Sequence, residues 1–312
     1  MLVERLLPCW TPRPELRPRA RDDAEAALRL RWLGTAGWVV ETGSTTLAID
    51  PFVSRPTLLE AVGRPLVPDV EELRRRLPRR LDAILIGHSH YDHLLDAPLL
   101  AQLTGARLVG SRTTCAFGRA ARLPAERLVE LPPHGARLTV GDIDVRFVAS
   151  LHGRLLFGRV PHPGHVLEPP RLPARWFEYR AGDVYGILLR ANGVAVYHNG
   201  SADLLDDELR DERADVLLVG LAGRGATPRY VERLVGCLRP RVVVPMHYDA
   251  FFERLDRGVR LIPGIDLDGF LADARRCAPS ATQITPDFGD VLVVPARDPR
   301  ATGIATRVRS RG

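Results

Sequence analysis

The chain has 312 residues, enough for one large domain with a sizeable buried core, and its 45% hydrophobic and 26% charged content is ordinary for a globular protein. No apolar run approaches the roughly 20 residues that a membrane-crossing helix needs. The formal charge of +6 comes from 44 basic residues, all of them Arg, and five of those lie from Arg297 onward against one Asp. The remaining excess is dispersed, so nucleic acid is not the expected partner.

Residues 1–24 are rich in Pro and Arg and are expected to form a loose arm. They lack the apolar core, about 7–15 residues long, of a secretory signal. The cysteines, Cys9, Cys115, Cys237 and Cys277, are scattered with no CxxC pair. Both features point to a reducing, cytoplasmic setting. Structure is expected from about residue 25 to 296, with a basic tail at 297–312.

Leu28, Leu30 and Trp32 alternate with polar neighbours as in a half-buried strand. A turn is expected at Gly34–Gly37, followed by strands at Trp38–Val40 and Leu47–Ile49. Glu71 to Leu77 reads as a helix stopped by Pro78. Ala83–Ile86 is a short continuous apolar run, the pattern of a strand buried on both faces. Ile143, Val145 and Phe147 mark another strand, with His152 just past its end. Residues 153–181, rich in Pro and aromatics, read as a long loop insertion in which Phe157, Trp176, Phe177 and Tyr179 either form a lid or pin the loop to the body. Tyr185–Leu189 and Val194–Tyr197 form a hairpin around Asn192-Gly193. A helical stretch at 204–213, a strand at 216–219, a helix at 228–238 opened by Thr227-Pro228 and a strand at 242–244 complete the pattern. Strands alternating with helices predict an α/β protein with helix-covered sheets.

Three of only nine histidines fall within six residues, His88, His90 and His93, with Asp92 among them. They follow the apolar run at 83–86, where a rigid strand can present ligands from a loop. Residues two apart on extended chain point the same way, so His88 and His90 can share one metal. Asp92 and His93 lie at the following turn and can face a neighbouring site. Imidazole and carboxylate are the ligands that zinc-type divalent ions take. A lone buried His is usually a satisfied core residue, but burying this cluster unpaired would be costly.

His88-x-His90-x-Asp92-His93 after a buried strand resembles the signature of the metallo-β-lactamase superfamily. Asp50, in Leu47-Ala48-Ile49-Asp50-Pro51, resembles the family's early Asp, which orients the metal-binding loop. His152 resembles the third His of the first metal site, and His247, in Val244-Pro245-Met246-His247-Tyr248, resembles the last His. The opening Trp32–Gly37 is similar to the branch holding ascorbate-phosphate lactonases and N-acyl-phosphatidylethanolamine phospholipases. The likeness covers about residues 28–295 and implies a single-domain, four-layer αββα sandwich.

The resemblance further implies a hydrolase with one or two Zn2+ ions, Mn2+ or Fe2+ being alternatives, that activates water on an ester, lactone, amide or phosphodiester. His88, His90 and His152 would hold one ion. Asp92, which would also hold or deprotonate the water, would join His93 and His247 to bind a second ion or to stabilise the developing negative charge. The substrate would be a small or lipid-like molecule. One element departs from the family pattern. With Gly200 aligned to the family glycine, Ser201 takes the place of the Asp that bridges two metals. Asp203 is the alternative bridge by a different loop path, or simply an N-cap for 204–213. His198, at a strand end, is a pocket residue or further ligand. A nuclease or phosphodiesterase of the same fold, or a non-enzymatic metal-binding member, are the competing readings.

Overall fold

The computed structural model describes residues 26–155 and 158–296. The expected arm at 1–24 with Cys9, Phe157 and the basic tail lie outside the described residues. Two seven-stranded sheets face each other. Numbered in chain order, the first runs β14 (Val291–Pro295), β1 (Ala26–Gly34), β2 (Gly37–Glu41), β3 (Thr46–Ile49), β4 (Ala83–Leu85), β5 (Arg107–Gly110), β6 (Leu128–Glu130). The second runs β7 (Gly135–Val140), β8 (Ile143–Ala149), β9 (Tyr185–Ala191), β10 (Val194–Asn199), β11 (Val216–Gly220), β12 (Val242–Met246), β13 (Thr282–Gln283).

Helices α1 (Leu58–Gly63), α2 (Val70–Arg76), α3 (Tyr91–Leu94), α4 (Ala97–Thr104) and α5 (Arg112–Ala120) accompany the first sheet, and α6 (Asp206–Leu209), α7 (Tyr230–Leu238) and α8 (Leu267–Cys277) the second. The result is the expected αββα sandwich. Side chains sort by strand parity. Trp38, Val40, Leu47, Ile49, Ala83 and Leu85 enter the core shared with the second sheet. Val39, Ala48, Ile84 and Ile86 pack instead with Leu73, Leu100 and Phe117 of the helices. Burial on both faces explains why residues 83–86 read as an unbroken apolar run. Among the described residues no helix is long and apolar enough to cross a membrane.

Asn192 and Gly193 both adopt left-handed backbone, φ 50 and 75, as a two-residue hairpin turn requires. Other expectations shift. The helix at 204–213 shrinks to α6, because Glu212 is drawn into the fold to accept hydrogen bonds from Arg137, Arg146 and Arg190 on three neighbouring strands. The helix at 228–238 starts only at Tyr230, since Arg229 before it is left-handed, φ 52, and Pro228 lies outside.

Strands β3 to β6 are mutually parallel, as are β10 to β13. Ligand sites in such sheets form beyond the carboxyl ends of the strands. Asp50 follows β3, His88 follows β4, Ser201 follows β10 and His247 follows β12.

Candidate metal centre

Beyond β4 the chain stays extended through His88 and His90, then turns into α3 with Asp92 and His93 in its single turn. Gly87 allows this path. Its N–H donates to Asp50 Oδ1 at 2.7 Å, and a Cβ there would lie 3.2 Å from both Asp50 Oδ2 and the Tyr185 carbonyl. His152 arrives from the loop after β8, and His247 immediately after β12.

Two groups of potential ligands result: His88, His90 and His152, and Asp92, His93 and His247. Within each, one ligand atom per residue lies within 4.8 Å of the others. The first group is nearly equilateral, with ring centroids 4.8, 4.8 and 4.7 Å apart. In the second, His247 Nε2 stands 3.1 Å from Asp92 Oδ2 and 3.3 Å from His93 Nε2. The groups abut, the rings of His88 and His93 being 3.8 Å apart.

Hydrogen bonds on the far side of three rings fix where the protons sit. His90 Nε2–H donates to the Pro161 carbonyl at 2.9 Å, and His152 Nδ1–H to the Gly153 carbonyl at 2.6 Å. A carbonyl can only accept, so the other nitrogen of each ring is a lone pair. His93 Nδ1–H donates to Asp50 Oδ2 at 2.8 Å, and its Nε2 faces Asp92 and His247. Partners of this kind are what orient metal-binding imidazoles.

Burial, reinforced by the neighbouring histidines, drives the His88 pKa well below its ordinary value. Burial also lowers His90 to about 4 and His152 to about 3. All three are therefore neutral at pH 7, with one potential ligand atom of each within 4.8 Å of the others. For Asp92, burial disfavours ionisation, but the charge on His93 and the hydrogen bond from His247 outweigh it and hold the carboxyl below its usual range. For His93, burial is outweighed by Asp50 and Asp92, which raise its pKa. A buried carboxylate among converging imidazole lone pairs is the donor set that a divalent cation satisfies, so the residues fit the metal that the family pattern implies.

Asp50 joins neither group; it is fully buried behind His93 and Gly87. His198 is also buried outside both. Its Nε2–H donates to the Ala36 carbonyl at 2.7 Å, and the same nitrogen lies 4.0 Å from Asp50. Ser201 Oγ accepts the Gly153 N–H at 2.9 Å, tying the end of β10 to the loop that carries His152. Asp203, expected as a possible ligand, is not brought to either group. Its Oδ1 accepts the Leu204 N–H at 2.9 Å and faces Arg233 at 3.6 Å, which turns the carboxylate away. Nor does it cap α6, whose N-cap is Leu205.

In the insertion, buried Tyr179 stacks on Phe117 at 4.4 Å and pins the loop, whereas Trp176 packs edge-on against His162 at 4.5 Å and Phe177 is exposed. Sequence reasoning passed over Pro161, Arg55 and Asp249.

The chain matches the family model described as "Beta-lactamase superfamily domain" over residues 29–247. A protein named as a metal-dependent hydrolase from Anaeromyxobacter sp. (strain K) is 32% identical over 239 residues, covering 73% of this chain and 77% of that one. A second so named, from Pyrobaculum islandicum, is 29% identical over 230 residues, covering 72% and 85%. Among solved structures, a metallo hydrolase from Ignicoccus hospitalis superposes with a TM-score of 0.56 at 20% identity, covering 85% of this chain and 97% of that one. A metallo-β-lactamase fold protein from Bacillus subtilis gives 0.54 at 15% identity, covering 86% and 99%. With the paired ligand groups at the carboxyl edge of an αββα sandwich, these matches lead to one conclusion: the chain belongs to the metallo-β-lactamase superfamily of hydrolases.

Proposed function

We propose that the protein is a hydrolase holding one zinc-type cation at His88, His90 and His152 and a second at Asp92, His93 and His247, and that it acts on a small or lipid-like ester, lactone, amide or phosphodiester. The observation that carries this reading is the convergence of two buried ligand groups, in which His90, His93 and His152 each have one ring nitrogen committed to a carbonyl or carboxylate. Bound there, divalent cations would supply Lewis acidity towards a substrate oxygen and lower the pKa of a water molecule.

The chain's own groups have distinct tasks. Asp92, kept ionised, is the carboxylate placed to orient the attacking water and accept its proton. Asp50 retains the His93 proton on Nδ1, so Nε2 remains a ligand. Tyr91 and Phe251, packed edge to face at 6.0 Å with Phe251 5.7 Å from His247, wall the Asp92 side and restrict water. The cytoplasm is the compartment that suits this reading, since Cys115, Cys237 and Cys277 are free thiols.

The test combines elemental analysis of protein reconstituted with zinc, manganese or iron and a panel of chromogenic esters, lactones, amides and phosphodiesters. Cation uptake with turnover of at least one class is expected, and His88→Ala should lose the turnover together with the cation of its own triad. A protein that takes up no cation after reconstitution overturns the proposal.

A further inference from the structure

Four residues at or near the metal edge adopt left-handed backbone that side-chain-bearing residues rarely take: Thr35 (φ 51), Asp50 (φ 42), Arg55 (φ 40) and His247 (φ 55). Such strain persists only where the surroundings over-determine it. For His247 the surroundings form a closed circuit. Its N–H donates to the Thr35 carbonyl at 2.8 Å. The Thr35 N–H donates in turn to Asp249 Oδ1 at 2.8 Å. Asp249 Oδ2 is ion-paired with Arg55 Nη2, the two side chains being 0% and 1% exposed. Arg55 Nη2 also donates to Thr35 Oγ1 at 3.2 Å, and Nη1 to the Ala250 carbonyl at 3.4 Å. The guanidinium lies 4.9 Å from the Phe288 ring centre. A Cβ on Gly34 would fall 1.9 Å from Arg55 Nη2, so the glycine before Thr35 makes room for the pair.

A fully buried ion pair is a weak source of stability, because desolvation offsets the attraction. What this pair does hold in register is the 34–35 turn and the chain after β12, the two segments that meet at His247. The other triad is anchored separately, through the carbonyls of Pro161 and Gly153. We infer that Arg55 and Asp249 are positioning residues that clamp His247 in line with Asp92 and His93, and so set the cation affinity of that triad without altering the triad of His88, His90 and His152. The inference rests on the two-triad reading above.

Calorimetric titration of metal-stripped full-length protein with cobalt(II) tests it, using wild type, His247→Ala, Arg55→Lys and the double variant Arg55→Met/Asp249→Leu. Wild type should take up two ions in two phases, and His247→Ala should lose one phase. The double variant, with both charges removed together, should keep the first phase and weaken the second by about 10- to 100-fold. Arg55→Lys keeps the charge but not the forked reach, and should weaken the same phase by a smaller factor. Two phases at wild-type affinity in the double variant, or equal weakening of both as a general loosening would give, overturns the inference. If the double variant does not fold, Arg55→Lys decides by the same criterion. Fewer than two ions in wild type removes the two-triad reading itself.

Discussion

Replacing Asp50 by Asn changes one oxygen for one nitrogen and leaves the shape of the side chain intact. The native carboxylate, fully buried, accepts from both Gly87 N–H and His93 Nδ1–H. An amide has a single acceptor oxygen. If that oxygen serves Gly87, the amide nitrogen faces His93 Nδ1, donor against donor. His93 escapes the clash by moving its proton to Nε2, the atom that looks at Asp92 and His247. A proton then occupies the lone pair the triad needs. Losing a hydrogen bond to a charged partner costs about 1.5–3 kcal/mol, equivalent to roughly 10- to 150-fold in cation affinity. Competition against a chromophoric chelator should show this loss at the Asp92, His93, His247 triad. Nitrogen-15 spectra of the stripped protein should show His93 protonated on Nε2. An affinity within about twofold of wild type, with His93 still protonated on Nδ1, would refute the tautomer argument.

Three other perturbations have outcomes set by geometry. In metal-free protein, His90 titrates near 4 when folded and near 6.5 when unfolded. Below pH 6.5 the unfolded chain takes up a proton that the folded chain refuses, so stability falls with pH until about 4. The loss reaches about 2 kcal/mol by pH 5, and urea unfolding at pH 7.5 and 5 should show His90→Gln losing less than wild type by that amount; equal losses would contradict the assignment. Gly200→Ala sets a Cβ 2.9 Å from both Asp50 Oδ2 and His198 Cε1, and thermal unfolding should register a destabilisation of about 1–3 kcal/mol; an unchanged midpoint would show that the loop yields freely. Ser201→Ala leaves the Gly153 N–H without its acceptor, for about 1–3 kcal/mol, and should weaken the His152 triad more than the Asp92 triad in the same chelator competition; equal effects would deny Ser201 its hold on His152.

Four of the candidate ligands were legible in the sequence because their relation is local. His88 and His90 share a face of extended chain, and Asp92 with His93 occupies the next turn, so spacing alone carries the geometry. His152 and His247, each just past a strand, were picked out by their resemblance to the family's later histidines. The carboxylate opposite them could not be settled, because the direction of Asp203 depends on Arg233, thirty residues away on α7. Arg55 and Asp249 left no trace in spacing, being 194 residues apart. Pro161 acts through its main-chain oxygen, which every residue possesses. Helices α4 and α5 were overlooked; α5, with two Thr and a Gly among its nine residues, owes its form to tertiary packing more than to intrinsic preference.

The bond from His90 to the Pro161 carbonyl has an evolutionary consequence. Because the acceptor belongs to the main chain, the surrounding insertion can exchange its side chains, His162, Trp176 and Phe177 included, without moving the proton on His90. The composition of the loop is thereby separated from the orientation of the histidine it steadies. Point substitutions in this segment leave that bond in place, and only insertions or deletions that shift the backbone at 161 break it.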